Sequence, residues 1–457
     1  MSRTRNAGPA SYGGAGIIPR LLTLWYAVST SLWALPLLIV AGAIVAAYLA
    51  LNVRLGGSGM LASFLDRGSA DAAAQFMSGL LTAMITMATL AISITMVVLT
   101  LAAQQLGPRI IRSFIADKKT QAALGLFLGT VAYLLVVLYS VSGAGRTAPN
   151  LAISGGSLLV LISVAMLVVF VHHLANAIVA DNAIARIGVQ LDTDVSRLLP
   201  DADDMVGPAP PKLDRTKAAA VRLEISGYVQ AIDYEAIVNA ACAADAIVEI
   251  GMRPGHFAVD GGVIAWIAGG KDRDSLAHTI QNAVVVGAER TPVQDIEFSI
   301  RQMVEIAVRA LSPGINDPFT AIAVLDRLSS SLAAVMRRAP ARSVLVDDQR
   351  KPRVIVSRST FEGLVAAAFD QIRQNGAQKP AILIQMADNL CQLIALADDE
   401  RKSVLLDYLD LVEDAGKAIA QKHDRDALIA RVENARRGDC LPREETAAKP
   451  QRKPRRS

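Results

Sequence analysis

Four apolar stretches in the first 180 residues contain no charged side chain, and each is long enough to cross a bilayer, whose core requires about 20 such residues. They run from Leu32 to Val53, Leu80 to Ala103, Ala122 to Val141 and Leu151 to Leu174. The pattern predicts a four-helix transmembrane domain over residues 31–180, preceded by a cytoplasmic N-terminal tail over residues 1–30.

The pattern changes after residue 180, where apolar and polar residues alternate over shorter distances. We predict a cytosolic α+β domain: a helical extension with a Pro- and Asp-rich linker, a small β-rich module, a mostly helical part and a basic disordered tail. These segments span residues 181–214, 215–271, 272–437 and 438–457. Within the helical part, the stretch "RSVLVDDQRKPRVIVSR" predicts a β-hairpin.

Composition supports the membrane assignment, because 52% of the 457 residues are hydrophobic and only 19% are charged. An ordinary soluble protein of this size carries more charge. Basic residues cluster in the N-terminal tail and in the loop between the second and third stretches, which predicts that both are cytoplasmic. They are Arg3, Arg5, Arg20, Arg109, Arg112, Lys118 and Lys119. We therefore expect a multi-pass protein of the bacterial inner membrane with both termini in the cytosol.

The three cysteines are Cys242, Cys391 and Cys440, and none forms a C-x-x-C pair. This scattered arrangement is typical of a reducing compartment, and we expect no disulfide framework and no metal site.

Several longer segments resemble those of a known family. They are "QQLGPRIIRSFIADKKTQAALGLFLGT", "SGYVQAID", "RPGHFAVDGG", "ERTPVQDIEFSIRQMVEIAVRALSPGINDPFTAIAVLDRL" and "FDQIRQ". Together they resemble the bacterial membrane proteins grouped as domain of unknown function 2254, in the right order from about Leu22 to Arg437. The resemblance implies an integral membrane protein with a cytosolic domain, and it implies no particular activity.

The stretch "ALSPGINDPFTA", Ala310 to Ala321, concentrates special residues between two predicted helices. As a corner, it needs Pro313 and Gly314 for the reversal, with Asp317 as the N-cap and Pro318 at the first helical position. As a pocket, it would bind a small anion or a cation. The candidate ligand-binding residues are Arg309, Ser312, Asn316, Asp317 and Thr320.

No catalytic residue is assigned, and we expect no cofactor. Ser312 lacks the setting of a hydrolase nucleophile, and His256 and His278 lie in other segments. Asp295, Glu297 and Glu305 could act as carboxylates, but on a helix such residues are more often solvated or paired with neighbours such as Arg301 and Arg309.

The second apolar stretch carries a stripe of hydroxyl residues within an arc of about 80° at 100° per residue. This hydroxyl stripe consists of Ser78, Thr82, Thr86, Thr89, Ser93 and Thr100. It is interpreted either as a packing face or as the wall of a pore. Gly125 and Gly129 of the third stretch have the spacing for a close approach of two helices, within one subunit or between subunits.

Three functional hypotheses follow. The leading one is a channel-like or transport protein, assembled as a homo-oligomer, whose cytosolic domain senses a ligand. The alternative is a non-conducting membrane-anchored sensor or scaffold, and the third is a membrane-bound enzyme that acts through the 310–321 segment. The lipid bilayer is the expected partner in all three, and no nucleic acid is expected.

Overall fold

The computed structural model describes residues 31–53, 70–107, 111–142, 150–177, 179–201 and 209–440. The predicted N-terminal tail, residues 202–208 of the Pro- and Asp-rich linker and the basic C-terminal residues from 441 onward lie outside the described residues.

The long apolar helices form one bundle at the N-terminal side of the chain. They are α1 (Ala34–Asn52), α2 (Ala70–Leu106), α4 (Lys118–Val141) and α5 (Asn150–Ala177), with a short α3 (Ile111–Ile115) between α2 and α4. Helix α4 is central, because α1, α2 and α5 all pack against it. A Cβ atom at Gly125 would lie 2.6 Å from Ile39 and 3.0 Å from Pro36, so this glycine permits the close approach of α1 to α4 within one chain.

Five described helices, rather than four, are long and apolar enough to cross a membrane. The fifth is α10 (Pro318–Met336). It packs against helices of the globular region, and its Arg327 pairs with Asp192 at 2.5 Å. Length and composition therefore support a multi-pass membrane protein, and they do not by themselves fix the number of spans.

Seven helices build the globular helical region. They are α6 (Ala180–Leu198), α9 (Glu297–Ala310), α10, α11 (Phe361–Gly376), α12 (Pro380–Leu396), α13 (Asp399–Gly416) and α14 (Lys422–Arg437). Their apolar core is continuous with the ends of the bundle helices, since it includes Ala102 and Leu106 of α2, Phe114 of α3 and Ala177 of α5. The ends of the bundle helices and the globular region are therefore packed into one apolar core.

Two sheets and two helices form the β-rich region. The strands are β1 (Ala219–Arg222), β2 (Gly227–Ile232), β3 (Ala246–Ile250), β4 (Phe257–Ala258), β5 (Val263–Gly269), β6 (Val284–Gly287), β7 (Val344–Val346) and β8 (Pro352–Val356). One sheet has the order β1-β5-β3-β8-β7 and the other β4-β2-β6. Helices α7 (Tyr234–Ala243) and α8 (Arg273–Ala283) complete the region and pack against each other.

The hairpin predicted at "RSVLVDDQRKPRVIVSR" is confirmed as β7 and β8, which pair antiparallel. Strand β8 also pairs with β3 in the parallel direction, from Val248 with Val354 to Ile250 with Val356. The hairpin therefore belongs to the same sheet as strands about one hundred residues earlier, although helices α9 and α10 intervene along the chain.

The expectation of no disulfide is wrong. Cys391 of α12 and Cys440, which follows α14, form a disulfide with a Cα–Cα distance of 5.5 Å. Their separation of 49 residues gave no sign of this, because the pairing depends on α14 packing back against α12. Cys242 is an exposed free thiol.

Candidate functional site

The turn between α9 and α10 has the corner geometry predicted from its sequence. Asp317 is the N-cap of α10 and accepts a hydrogen bond from the Thr320 amide at 3.2 Å, while Pro318 begins the helix. The Thr320 hydroxyl donates to the same carboxylate at 2.6 Å, and this bond lowers the pKa of Asp317. Asp317 and Thr320 therefore satisfy each other's polar groups at the start of α10.

The other candidate ligand residues of the turn point to different partners. Asn316 has a φ of 50°, and its side-chain oxygen accepts from Lys379 Nζ at 2.6 Å. Arg309 donates from Nη1 to the backbone oxygen of Gln104 at 3.1 Å, at the end of α2. Ser312 accepts the Asn316 amide on its backbone oxygen at 2.8 Å. The donors that an anion pocket would need are largely engaged by the protein itself.

The hydroxyl stripe faces away from the bundle. All six of its side chains are exposed in the single chain, and the hydroxyls of Thr82, Thr86, Thr89 and Thr100 each donate to the carbonyl oxygen four residues earlier. Thr95 makes the same kind of bond, to Ala91, but is only 4% exposed. Contacts within the bundle are made by another face of α2, which includes Met77, Met84, Ala88, Ala91 and Val98.

Sequence reasoning missed the densest polar site among the described residues, a buried ion cluster at the start of α9. Its hub is Glu297, which is only 3% exposed. One carboxylate oxygen accepts from Arg253 Nη2 and from the Ser359 hydroxyl at 3.1 Å. The other accepts from Arg301 Nη2 at 3.0 Å. We call this group, together with Arg290, Asp295 and His256, the arginine cluster.

Arg290 and Asp295 extend the arginine cluster towards the β-rich region. Arg290 holds Asp295 through Nε at 2.8 Å and Nη2 at 2.6 Å, and its Nη2 lies 3.9 Å from Glu297. Asp295 in turn accepts the Glu297 amide at 3.1 Å. Gly255 permits this packing, since its φ is +92° and a Cβ there would lie 2.5 Å from both Arg290 and Asp295.

The charges of the arginine cluster are unequal, with three guanidinium groups against two carboxylates. Burial by itself raises the pKa of Glu297, but Arg253, Arg301 and the Ser359 bond outweigh that effect and hold the pKa below its ordinary value. Burial and the charge of Arg253 lower the pKa of His256. Its Nε2 lies 3.0 Å from Arg253 Nη1, and since a guanidinium only donates, this nitrogen accepts. The cluster with neutral His256 therefore has a formal excess of one positive charge.

The arginine cluster joins four separate segments. Arg253 and His256 lie between β3 and β4, Arg290 and Asp295 between β6 and α9, Glu297 and Arg301 in α9, and Ser359 between β8 and α11. Only the pair four residues apart, Glu297 with Arg301, was predicted from sequence. The sequence offered one further sign of the arginine cluster. Arg253, Arg290 and Asp295 lie beside Pro- or Gly-containing turns in the segments that carry the family resemblance.

A family model described as "Predicted membrane protein (DUF2254)" matches residues 29–392. The chain belongs to this family. Within the DUF2254 match lie all four helices of the bundle, the arginine cluster and the turn between α9 and α10.

Two curated relatives support the assignment to DUF2254. An uncharacterised protein of Mycobacterium tuberculosis and one of Mycobacterium bovis are each 30% identical over 387 residues, covering 80% of this chain and 72% of theirs. No solved structure matches.

Proposed function

We propose that this DUF2254 protein is an oligomeric, channel-like or transport protein with four spans, α1, α2, α4 and α5, and a cytosolic domain that senses a small anionic ligand. The observation that carries the proposal is the position of α9. Its first residue, Glu297, is the hub of the arginine cluster, and its last turn contacts α2 through Arg309 and Gln104. A 14-residue helix spans about 21 Å, so α9 links a charged site to a span through one rigid element.

The contact between α9 and α2 is close enough to transmit a displacement. Gly107, immediately after α2, has a φ of +114°, and a Cβ there would lie 2.5 Å from Glu305 of α9. Ala102 and Leu106 of α2 are also buried in the same core as α9. A shift of α9 along its axis would therefore displace the end of α2, because packed cores do not deform continuously.

The orientation of α2 supports an oligomer. At 100° per residue, the centre of the hydroxyl stripe lies about 160° around the helix from the centre of the buried face. No described residue of the same chain covers the stripe. In an oligomer, the stripes of several copies would meet at a shared axis, where hydroxyl groups suit a polar path better than lipid does.

The arginine cluster supports an anionic ligand, because its excess positive charge lies at the edge of the globular region. Arg301 is the most exposed of the three arginines, and Arg253 and Arg290 are partly exposed. Planar guanidinium groups bind carboxylate and phosphate by two parallel bonds. Because Arg253 and Arg290 are engaged within the cluster, a small dicarboxylate or a phosphate compound would bind mainly at the more exposed Arg301.

The test of conduction uses the purified full-length chain in liposomes, with ion flux measured across the membrane. We expect flux in the wild type, a reduction in the double variant Thr86→Val, Thr89→Val, and little change in Thr95→Val. Thr95 is a matched control because it makes the same bond to its own helix but lies inside the bundle. Absence of flux under all conditions, or an equal effect of Thr95→Val, would contradict the proposal.

Ligand sensing is tested separately, with inorganic phosphate and succinate as probes of binding to the full chain. Arg301→Gln should weaken binding at least tenfold, whereas Arg436→Gln, which removes a paired surface arginine of α14, should not. Equal binding by both variants would show that the arginine cluster is not the ligand site. This result would not bear on the proposal of conduction.

One observation favours the alternative, a non-conducting sensor or scaffold. Four of the six stripe hydroxyls donate within their own helix, so those four can lie against lipid as satisfied donors. Disulfide cross-linking distinguishes the two functions. In a Cys242→Ser background, Thr86→Cys should cross-link between copies if the stripe lies at a shared axis, and should stay monomeric if the stripe faces lipid.

A further inference from the structure

Two large apolar side chains are exposed on the turn that joins α9 to α10. Ile315 is 45% exposed and Phe319 is 80% exposed, and they lie four residues apart on the same turn. Neither is needed for the corner, which is made by Asp317, Pro318 and the backbone of Ser312. Single exposed apolar residues are common, but a pair of them on one turn is a candidate contact surface when other features place it near a membrane or a partner.

The turn follows a contact between α9 and the end of the apolar stretch of α2. Arg309, three residues before it, donates to Gln104, and Gln104 directly follows the apolar stretch that ends at Ala103. The Asp317 amide donates back to Ala310 at 2.7 Å, which folds the turn against the end of α9. Ile315 and Phe319 are therefore held close to the level of the lipid headgroups.

One lysine contacts the turn, and two more are exposed at the start of α4. Lys379 donates to the backbone oxygen of Leu311 at 3.1 Å and to Asn316, and it is the N-cap residue of α12. Lys118 and Lys119 are exposed at the start of α4. Apolar side chains flanked by lysine and arginine are typical of segments that lie in the interface of an anionic membrane.

We propose that the turn from Ser312 to Phe319 is an interfacial anchor. It places Ile315 and Phe319 among the lipids of the leaflet on the side of the globular region, with Lys379 and Arg309 at the level of anionic headgroups. Continuity with the transmembrane helix α2 selects lipid over a second protein copy as the occupant. The anchor holds the α9 end at the membrane whether or not the spans conduct, so the proposal goes beyond the function proposed above.

The experiment measures the surroundings of a nitroxide spin label in the full chain, reconstituted in vesicles of phosphatidylethanolamine and phosphatidylglycerol. Labels are attached at Phe319→Cys or at Val259→Cys, each in a Cys242→Ser background. Val259 is a matched control, since it is an exposed apolar residue in the β-rich region. Power saturation compares accessibility to oxygen, which concentrates in lipid, with accessibility to a water-soluble nickel complex.

We expect a several-fold higher ratio of oxygen to nickel accessibility at position 319 than at position 259. Equal ratios would place the turn in water and overturn the proposal. A label at 319 that neither reagent reaches would show that protein covers the turn, and would overturn it in favour of a second copy.

The role of charge is tested by Lys379→Gln, which can still donate to Leu311 and Asn316. In the wild type, adding phosphatidylglycerol to phosphatidylcholine vesicles should increase the oxygen-to-nickel ratio at 319. The increase should be smaller in Lys379→Gln. An increase of the same size in both proteins would contradict an electrostatic contact between Lys379 and the headgroups.

Discussion

The two ends of α9 satisfy their polar groups in opposite ways. At the start, Glu297 is buried and depends on arginines from three segments. At the other end, Asp317 caps α10 with the nearby Thr320 in a part-buried turn. The first arrangement is non-local and mutually dependent, and the second is local. Loss of one group should therefore cost far more at the start of α9 than at its end.

The largest effect is expected for Glu297→Gln, which removes the hub charge and leaves the arginines without their shared partner. Breaking a buried pair from one side typically costs about 3–5 kcal/mol of unfolding free energy. Glu433→Gln is the control, because Glu433 and Arg437 form an exposed pair on α14 at 4.0 Å, which should be worth less than about 1 kcal/mol. Trp266 of β5 reports unfolding by fluorescence. Equal shifts in the two variants would show that the buried Glu297 stabilises the fold no more than an exposed ion pair does.

At the opposite end, Asp317→Ala should cost about 0.5–2 kcal/mol, the usual loss for a helix cap. The same fluorescence measurement should therefore rank Glu297→Gln well above Asp317→Ala. If Asp317→Ala is the more damaging change, the turn is more than a local corner.

A smaller difference is expected between two substitutions of Asn316, whose φ of 50° lies in the left-handed region. Asn316→Ala should cost about 1 kcal/mol from backbone strain, in addition to the lost bond with Lys379. Asn316→Gly loses the same bond without the strain and should be more stable than Asn316→Ala. If Asn316→Ala is more stable than Asn316→Gly, backbone strain does not explain the preference for asparagine at this position.

The smallest effect concerns pH and His256. Its pKa is lowered in the folded state, so the unfolded chain binds the proton more readily, and stability is lost as pH falls below the unfolded value of about 6.5. Melting temperatures at pH 7.5 and 5.5 should therefore differ less in His256→Gln than in the wild type. His278→Gln, on the exposed side of α8, is the control and should behave like the wild type.

The same contrast explains what sequence reasoning could predict. The apolar stretches and the Asp-Pro cap are local signals, because a helix needs length and a cap needs neighbouring residues. The arginine cluster is not local: Arg253, Arg290 and Ser359 reach Glu297 only after two sheets and α11 have packed. The Cys391–Cys440 bond was missed for the same reason.

The hydroxyl stripe could be predicted from the sequence only in part. Periodicity placed its six residues on one face of α2, and the structure agrees that they share an exposed face. Periodicity could not predict which face of α2 is buried. The opposite face carries alanine and methionine, and these residues pack within a bundle as well as hydroxyl residues do. The direction depends on where α4 and α5 pack against α2, which no single helix encodes.

Strand β8 fixes the order in which the chain can fold during synthesis. Because β3 pairs in parallel with β8, the five-stranded sheet lacks two strands until residue 356 has been made. By then the helical segments α9 and α10 have been synthesised, and they must pack while one edge of β3 is still unpaired. An unpaired strand edge is prone to wrong association. For a chain already held at the membrane by its first helices, the other chains in that membrane are the neighbours with which this edge could pair before β8 arrives.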